Sequence, residues 1–388
     1  MKNLVLITNS FPEKGKETFL IEELPFLSKY FKKVIIFTLK PIKNHIEIPA
    51  NVSVSNVFSL DVSKGEKFWY LLFNWSSIFK ALKLEKKNGG LSLLLKFGVQ
   101  SDRLDSFLKE KKINDTDVLF YSYWLDEGAA ILALLKEKRN KINFISRAHG
   151  YDLYEEDYPN GLPCFYNYAL SKINNVYFIS KNGKEYFRNK HKINIPLEVA
   201  NLGTKDYGMG PIEGRDIVIA TCSSIIPLKR LELLANALIE IKFNNVIWHH
   251  HGDGPLKKEV LDIVTNVPNV VTCFHGQVAN EGLMEFYKKN YISLFVNVSR
   301  TEGLPVSLIE AASFGIPLLA TDVRGTKEIC TPKTGVLVDS NINAKDLAKQ
   351  IEVAAMRDWD RKGIRGYWES HFLGEKNFDE FAKVIGEI

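Results

Sequence analysis

"ISLFVNVSRTEGLPVSLIEAASFGIPLLATD", residues 292–322, runs from a β-branched stretch through a Gly-Pro turn into a helical segment, then into a second apolar run. That pattern reads as one strand, a loop, a helix and a second strand. The loop "RTEGLP" places Glu302 just ahead of the helix. Pro305 reads as the first helical residue, where its fixed φ is suitable and its missing N–H costs nothing. Glu310 then falls inside the helix, and from Gly303 to Thr321 it is the one ionisable side chain. An unpaired carboxylate costs several kcal/mol to bury unless a donor reaches it. One reading makes Glu310 part of a solvated helix face and Glu302 an acid favoured by the helix dipole. The apolar neighbours of Glu310 and the small "AAS" beside it weigh against that reading.

The same alternation extends outward in both directions. In the first half "NLVLIT", "KVIIFTL", "VLFYSY", "INFISR" and "NVYFIS" read as strands, with helices among others over 18–32 and 126–139. The stretch 203–216, with four glycines, one proline and no apolar period, reads as a linker. The second half restarts with "DIVIATCSS", a helix over 228–243, "NVIWHHH", a helix over 255–264, "NVVTCFHG", a helix over 281–290, and the opening stretch. Strands alternating with helices predict an α/β protein of parallel sheets covered on both faces. We expect two Rossmann-like, doubly wound domains, residues 1–205 and 206–372, with a terminal helix over 373–388 packing back on the first. Such sheets present their carboxyl ends to ligands, here at a crevice between the halves.

Around that helix start, Gly303 lets backbone come close to a ligand. The amides near Leu304 and Val306, at the positive end of the dipole, suit a phosphate. A phosphate seat beside two hydroxyl-accepting acids describes a nucleotide sugar.

Bulk properties narrow the classes further. The 388 residues are 45% hydrophobic and 25% charged with net charge +5, a soluble composition too weakly basic to argue for nucleic acid. The excess lies in 64–112, where ten Lys and one Arg face five acids. There Phe68, Leu71, Leu72, Trp75, Phe79 and Leu82 recur at helical spacing, followed by Lys80, Lys83, Lys86 and Lys87. Such a helix suits an anionic membrane surface, or else packs its stripe on the first sheet and leaves the lysines in water. Four scattered cysteines without CxxC predict reduced thiols rather than a disulfide frame or zinc site. "MKNLVLITNSFP" reads as a first strand rather than a signal peptide, and no apolar run reaches membrane-spanning length. A cytoplasmic protein at the inner face of the membrane is the expectation.

The stretch "EGLPVSLIEAASFGIPLLATDVRGTKEI" resembles the E-x7-E signature of retaining glycosyltransferases of family four, whose GT-B fold sets two Rossmann-like domains across a cleft. The resemblance implies that Glu310 binds the ribose of the donor nucleotide, that Glu302 lies by the donor sugar, and that the turn of Gly303, Leu304, Pro305 and Val306 holds its diphosphate through its free amides. "CSSIIPLKRLELL" (222–234) resembles the unit whose basic pair clamps that diphosphate. Lys229 matches the Lys, whereas Ser224 stands where the family has Arg, so Arg230 or Arg300 would have to compensate. "HHGDGPLKKEV" (250–260) resembles the turn beneath the base, with Gly252. "RAHGYDLYEE" (147–156) resembles the HGxD loop, which would put His149 near the anomeric carbon and Asp152 beside it. "NLGT" (201–204) is similar to the turn closing the first domain. "TNSFPEKGKETFLIEEL" (8–24) is similar to the glycine-poor "ETFI" variant of the first loop among exopolysaccharide and lipopolysaccharide transferases.

The activity implied by this resemblance is a retaining transfer from a nucleotide diphosphate sugar to a saccharide or lipid-linked saccharide in bacterial surface polysaccharide synthesis, with neither metal nor cofactor. "DWD" (358–360) lies far from any strand end and reads as surface. Three rivals fit parts of the pattern. An epimerase or phosphorylase would share the fold. A non-catalytic nucleotide-sugar-binding subunit would explain Ser224 and the glycine-poor loop. A dehydrogenase lacks its GxGxxG fingerprint.

Overall fold

The computed structural model describes every residue except 14–16, 18, 59, 86–89, 158–160 and 266. The chain divides into two units, Met1–Leu202 with Lys376–Ile388, and Gly203–Glu375. The linker expected over 203–216 therefore belongs to the second unit, as does most of the segment before the last helix.

In the first unit the order is β1 (Asn3–Thr8), α1 (Phe19–Tyr30), β2 (Lys33–Thr38), β3 (Val52–Ser55), α2 (Lys64–Leu84), α3 (Leu91–Glu110), β4 (Val118–Ser122), α4 (Glu127–Lys138), β5 (Asn143–Ala148), α5 (Tyr166–Leu170), β6 (Asn175–Phe178), α6 (Lys181–Lys190) and β7 (Leu197–Val199). Its sheet runs β3-β2-β1-β4-β5-β6-β7, with parallel pairings throughout. The strands are buried on both faces, as their unbroken apolar runs require. The edge strands β3 and β7 were not expected from sequence. They are short and partly polar ("VSVS", "LEV"), so neither carries an apolar run.

The second unit holds β8 (Ile217–Cys222), α7 (Leu231–Glu240), β9 (Val246–His251), α8 (Lys257–Val264), β10 (Val270–Phe274), α9 (Asn280–Lys289), β11 (Leu294–Asn297), α10 (Val306–Ser313), β12 (Leu318–Thr321), β13 (Gly335–Val338), α11 (Ala344–Met356) and α12 (Arg361–Phe372). Its parallel sheet runs β10-β9-β8-β11-β12-β13. The final helix α13 (Gly374–Glu387) carries the chain back into the first unit. There Phe381, Ala382 and Ile385 join the cluster of Leu4, Leu6, Tyr121, Ile145 and Tyr177. Both sheets follow the doubly wound order, with the reversal between β1 and β4 in one and between β8 and β11 in the other. Loops leaving the carboxyl ends of those strands are where such sheets bind ligands.

Three expected local details change. Pro305 caps α10 from outside, with extended backbone, and Val306 is the first helical residue. The helix expected from 228 starts only at Leu231, because Pro227–Lys229 form a 3-10 turn and Arg230 adopts a left-handed φ of 49°. The 64–84 helix is present but turns most of its apolar stripe outward, while Leu71 and Leu82 of that stripe pack against the core. Tyr70, Ile78 and Ala81 face the core, opposite Phe68, Leu72, Trp75 and Phe79. Gly98 of α3 makes that packing possible, since a Cβ there would lie 2.1 Å from the Tyr70 ring.

Candidate active site

In the second unit the residues singled out from sequence gather on the loops after β8 and β11. The 3-10 turn after β8 delivers Lys229, whose Nζ lies 2.6 Å from Glu302 Oε1 on the loop after β11. Asn297, the last residue of β11, donates to the same oxygen at 3.2 Å and accepts the Ser299 amide at 3.0 Å. Glu302 is thus held by a cation and an amide at the reversal point of the sheet. Gly303 and Leu304 complete the turn, and the first-turn amides of α10 at Val306 and Ser307 face away from the helix by its geometry. They give the loop a positive end suited to an anion.

Glu310 sits in the second turn of α10, buried, with Asn280 Nδ2 donating to Oε1 at 2.6 Å from the start of α9. Burial pushes the Glu310 carboxyl up to about 7, and the Asn280 bond only partly opposes it. This is a carboxyl with spare acceptor capacity. Gly252, after β9, has φ +136°, and a Cβ there would lie 1.9 Å from the Ser223 carbonyl. No other residue fits that turn.

One expectation needs correction here. Arg230 does not compensate for the missing Arg. Its guanidinium is buried and donates to the carbonyls of Val298 at 2.6 Å, Ser340 at 2.6 Å and Ser299 at 3.3 Å. It braces the β11 loop from behind. Ser224 is exposed, with its carbonyl accepting the Ile226 amide at 3.1 Å. The "DWD" segment is surface: Asp358 is exposed and Asp360 caps α12 through the Gly363 amide at 2.8 Å.

In the first unit a second group lies on the loops after β1, β4 and β5. His149 follows β5, is 5% exposed, and packs its ring on Trp124 and Tyr123 with centroids 4.2 and 4.9 Å apart. Among the described residues neither ring nitrogen has a hydrogen-bond partner. A buried imidazole left open in this way marks a place for a ligand. Asp152 is fully buried and accepts the amides of His149 at 2.7 Å and Leu125 at 2.9 Å, with its second oxygen 3.6 Å from His149 Nδ1. That moves Asp152 from the donor contact expected of it to a positioning role behind His149.

Sequence reading missed the residues that shape the loop after β1. Glu17 Oε2 accepts the amides of Ser10 at 2.6 Å and Phe11 at 2.7 Å, while Oε1 accepts the Asn9 amide at 3.2 Å and the Trp124 indole at 2.6 Å. One side-chain carboxylate therefore does the work that glycines do elsewhere, folding the loop around itself. Asp126 accepts from Tyr151 Oη at 2.6 Å and Asn9 Nδ2 at 3.3 Å, and burial raises its carboxyl to about 6.

Residues 209–361, which hold Lys229, Glu302 and Glu310, match the family described as Glycosyl transferases group 1. That match spans less than half of the chain. Among relatives, Protein CapJ of Staphylococcus aureus is 25% identical over 388 residues, covering 94% of this chain and 90% of that one. A poly(ribitol-phosphate) alpha-N-acetylglucosaminyltransferase of Staphylococcus aureus (strain COL) is 25% identical over 187 residues, 47% of this chain and 36% of the other. HepE of Anabaena, solved in complex with UDP, is similar in structure with TM-score 0.70 at 16% identity over 100% of both chains. The transferase has the GT-B fold, two Rossmann-like units with parallel sheets.

Proposed function

We propose that this glycosyl transferase moves a sugar, with retention at the anomeric carbon, from a nucleotide diphosphate sugar to a saccharide or lipid-linked saccharide of a bacterial surface polymer. The observation carrying the reading is Glu310, a buried carboxylate bonded to Asn280 and placed one helix turn beyond free amides and the Lys229–Glu302 pair. A UDP complex of the structurally similar HepE supports a nucleotide as donor. The polymer-modifying name of the poly(ribitol-phosphate) relative supports the acceptor class.

In this reading Glu310 accepts hydrogen bonds from the ribose hydroxyls. The α10 amides and Lys229 meet the charge that grows on the departing diphosphate, which removes most of the electrostatic barrier without reorganisation. The bond from the anomeric carbon to the phosphate oxygen breaks, the acceptor oxygen bonds that carbon, and the acceptor proton ends on the diphosphate. Glu302 lies beside the donor sugar. His149 contacts the donor's reacting end through the ring nitrogens that have no partner within the protein, and Asp152 fixes the loop that presents it.

A thermal-shift panel of nucleotides and nucleotide sugars, followed by NMR of the product anomer with a saccharide acceptor pool, tests the proposal. A stabilising donor and an anomer matching the donor's support it. Donor binding with neither transfer nor hydrolysis would make the chain a binding subunit, and donor conversion without acceptor would make it an epimerase.

A further inference from the structure

Helix α2 presents an aromatic ridge that the donor chemistry does not use. Phe68 is 57% exposed, Trp69 58%, Leu72 51%, Phe73 77%, Trp75 69% and Phe79 63%. Four of them, at 68, 72, 75 and 79, share one face of the helix. That face lies half a turn from Tyr70, Ile78 and Ala81, which bury against α3 and the sheet. A helix that needs one apolar side for the core here has two. Full exposure of aromatic rings sacrifices apolar burial of about 25 cal/mol per Å² and invites aggregation unless something covers them.

The surroundings indicate what covers the ridge. Trp69 stacks on Phe73 at 5.8 Å, and Phe68 meets Trp69 edge-on at 6.1 Å, so these rings adjoin; Trp69 and Phe73 also edge a groove shared with Val99 and Phe107. Lys64 and Lys83 are exposed at its two ends, and Lys80 reaches Glu137 only at 3.6 Å, leaving most of its head group in water. Lys86 and Lys87 lie outside the described residues. The segment 64–112 carries ten Lys and one Arg against five acids. Aromatics flanked by lysines fit the head-group layer of an anionic bilayer, where indole and phenyl rings sit at the boundary and lysines reach lipid phosphates. A second copy of the same chain would bring like charges together around its rings. Among the described residues no helix is long and apolar enough to cross a membrane, so the ridge would be a surface contact.

We infer that the exposed face of α2 docks this protein on an anionic lipid surface by inserting Phe68, Leu72, Trp75 and Phe79 at head-group depth. The inference is independent of the donor site and stands or falls on lipid binding alone.

The test is co-sedimentation of the full chain with vesicles of phosphatidylcholine, with and without phosphatidylglycerol, at low and high salt. Binding should need phosphatidylglycerol and weaken in salt. Trp75→Ser with Phe79→Ser should lower the partition about tenfold or more, with melting temperature and donor binding unchanged because both side chains are exposed. Lys83→Gln should lower it about fivefold. Equal sedimentation with neutral and anionic vesicles, or a double variant that binds as the parent does, would overturn the inference. So would self-association through this face, seen as a dimer that the double variant makes monomeric and that ignores vesicles.

Discussion

Lys229 Nζ and Glu302 Oε1 lie 2.6 Å apart, so the cation proposed for the diphosphate already has an anionic partner in the protein. A bound diphosphate would draw Lys229 from Glu302 and leave Glu302 to Asn297 and the donor. Lys229→Ala should therefore weaken donor binding about ten- to a hundredfold, the weight of one charge-assisted bond. Glu302→Gln should leave donor affinity equal or tighter while lowering turnover about a hundredfold. Calorimetry with donor, beside steady-state rates, separates the two effects.

Glu310 makes donor binding pH-dependent. Its carboxyl titrates at about 7, raised by burial, so it is mostly protonated at pH 6 and mostly ionised at pH 8. The ionised form is the better acceptor for ribose hydroxyls, and donor affinity should rise across that interval. Glu310→Gln should flatten the profile and weaken binding. Asn280→Ala removes the one bond that lowers the carboxyl's pKa, so the midpoint should move to higher pH. Titration of donor affinity against pH for the three proteins checks this.

Asp152 and His149 should separate by the kind of damage they cause. His149→Ala removes a group with no internal polar partner, so turnover falls while the fold holds. Asp152→Ala strips two buried amides of their acceptor, costing about 1–3 kcal/mol of stability each besides activity. Melting temperatures alongside rates distinguish the two.

The triple histidine of β9 predicts acid sensitivity in the second unit. Burial lowers His250 to about 4 and His251 to about 3, with His251 stacked 4.3 Å from His275. Their folded values lie below the unfolded value near 6.5, so the unfolded chain binds more protons as pH falls below that value. Stability from these rings is present above about 6.5 and declines toward pH 4. The melting temperature should drop between pH 7 and 5, and His251→Phe should reduce the drop.

How much was legible varies by residue. The two parallel sheets could be read because their inner strands, such as "VLFYS" and "NLVLIT", are apolar on both faces. The lone acid Glu310 was visible as a charge in an uncharged window, and its burial followed. Apolar spacing in α2 showed a stripe without showing its direction, since Tyr70, Ile78 and Ala81 offered the core a second, smaller one. Arg230 looked like a phosphate ligand because sequence order hides backbone carbonyls, three of which absorb its guanidinium. Glu17 stood inside the "ETFI" match without its role showing: most of its partners are main-chain amides whose convergence depends on the loop's path, not on residue type.

The return of α13 to the first unit has a consequence during synthesis. Lys2 Nζ donates to the Ile388 main-chain oxygen at 2.8 Å, so α13 delivers the residue after it to the start of β1. While the ribosome is still translating, the later-encoded unit already has all of its strands, whereas the earlier one still lacks Phe381, Ala382 and Ile385 over Tyr121 and Tyr177. Its greasy flank stays uncovered until α13 has left the ribosome. A chain cut short before Phe381 should consequently be prone to clump, even with every group proposed for the reaction intact.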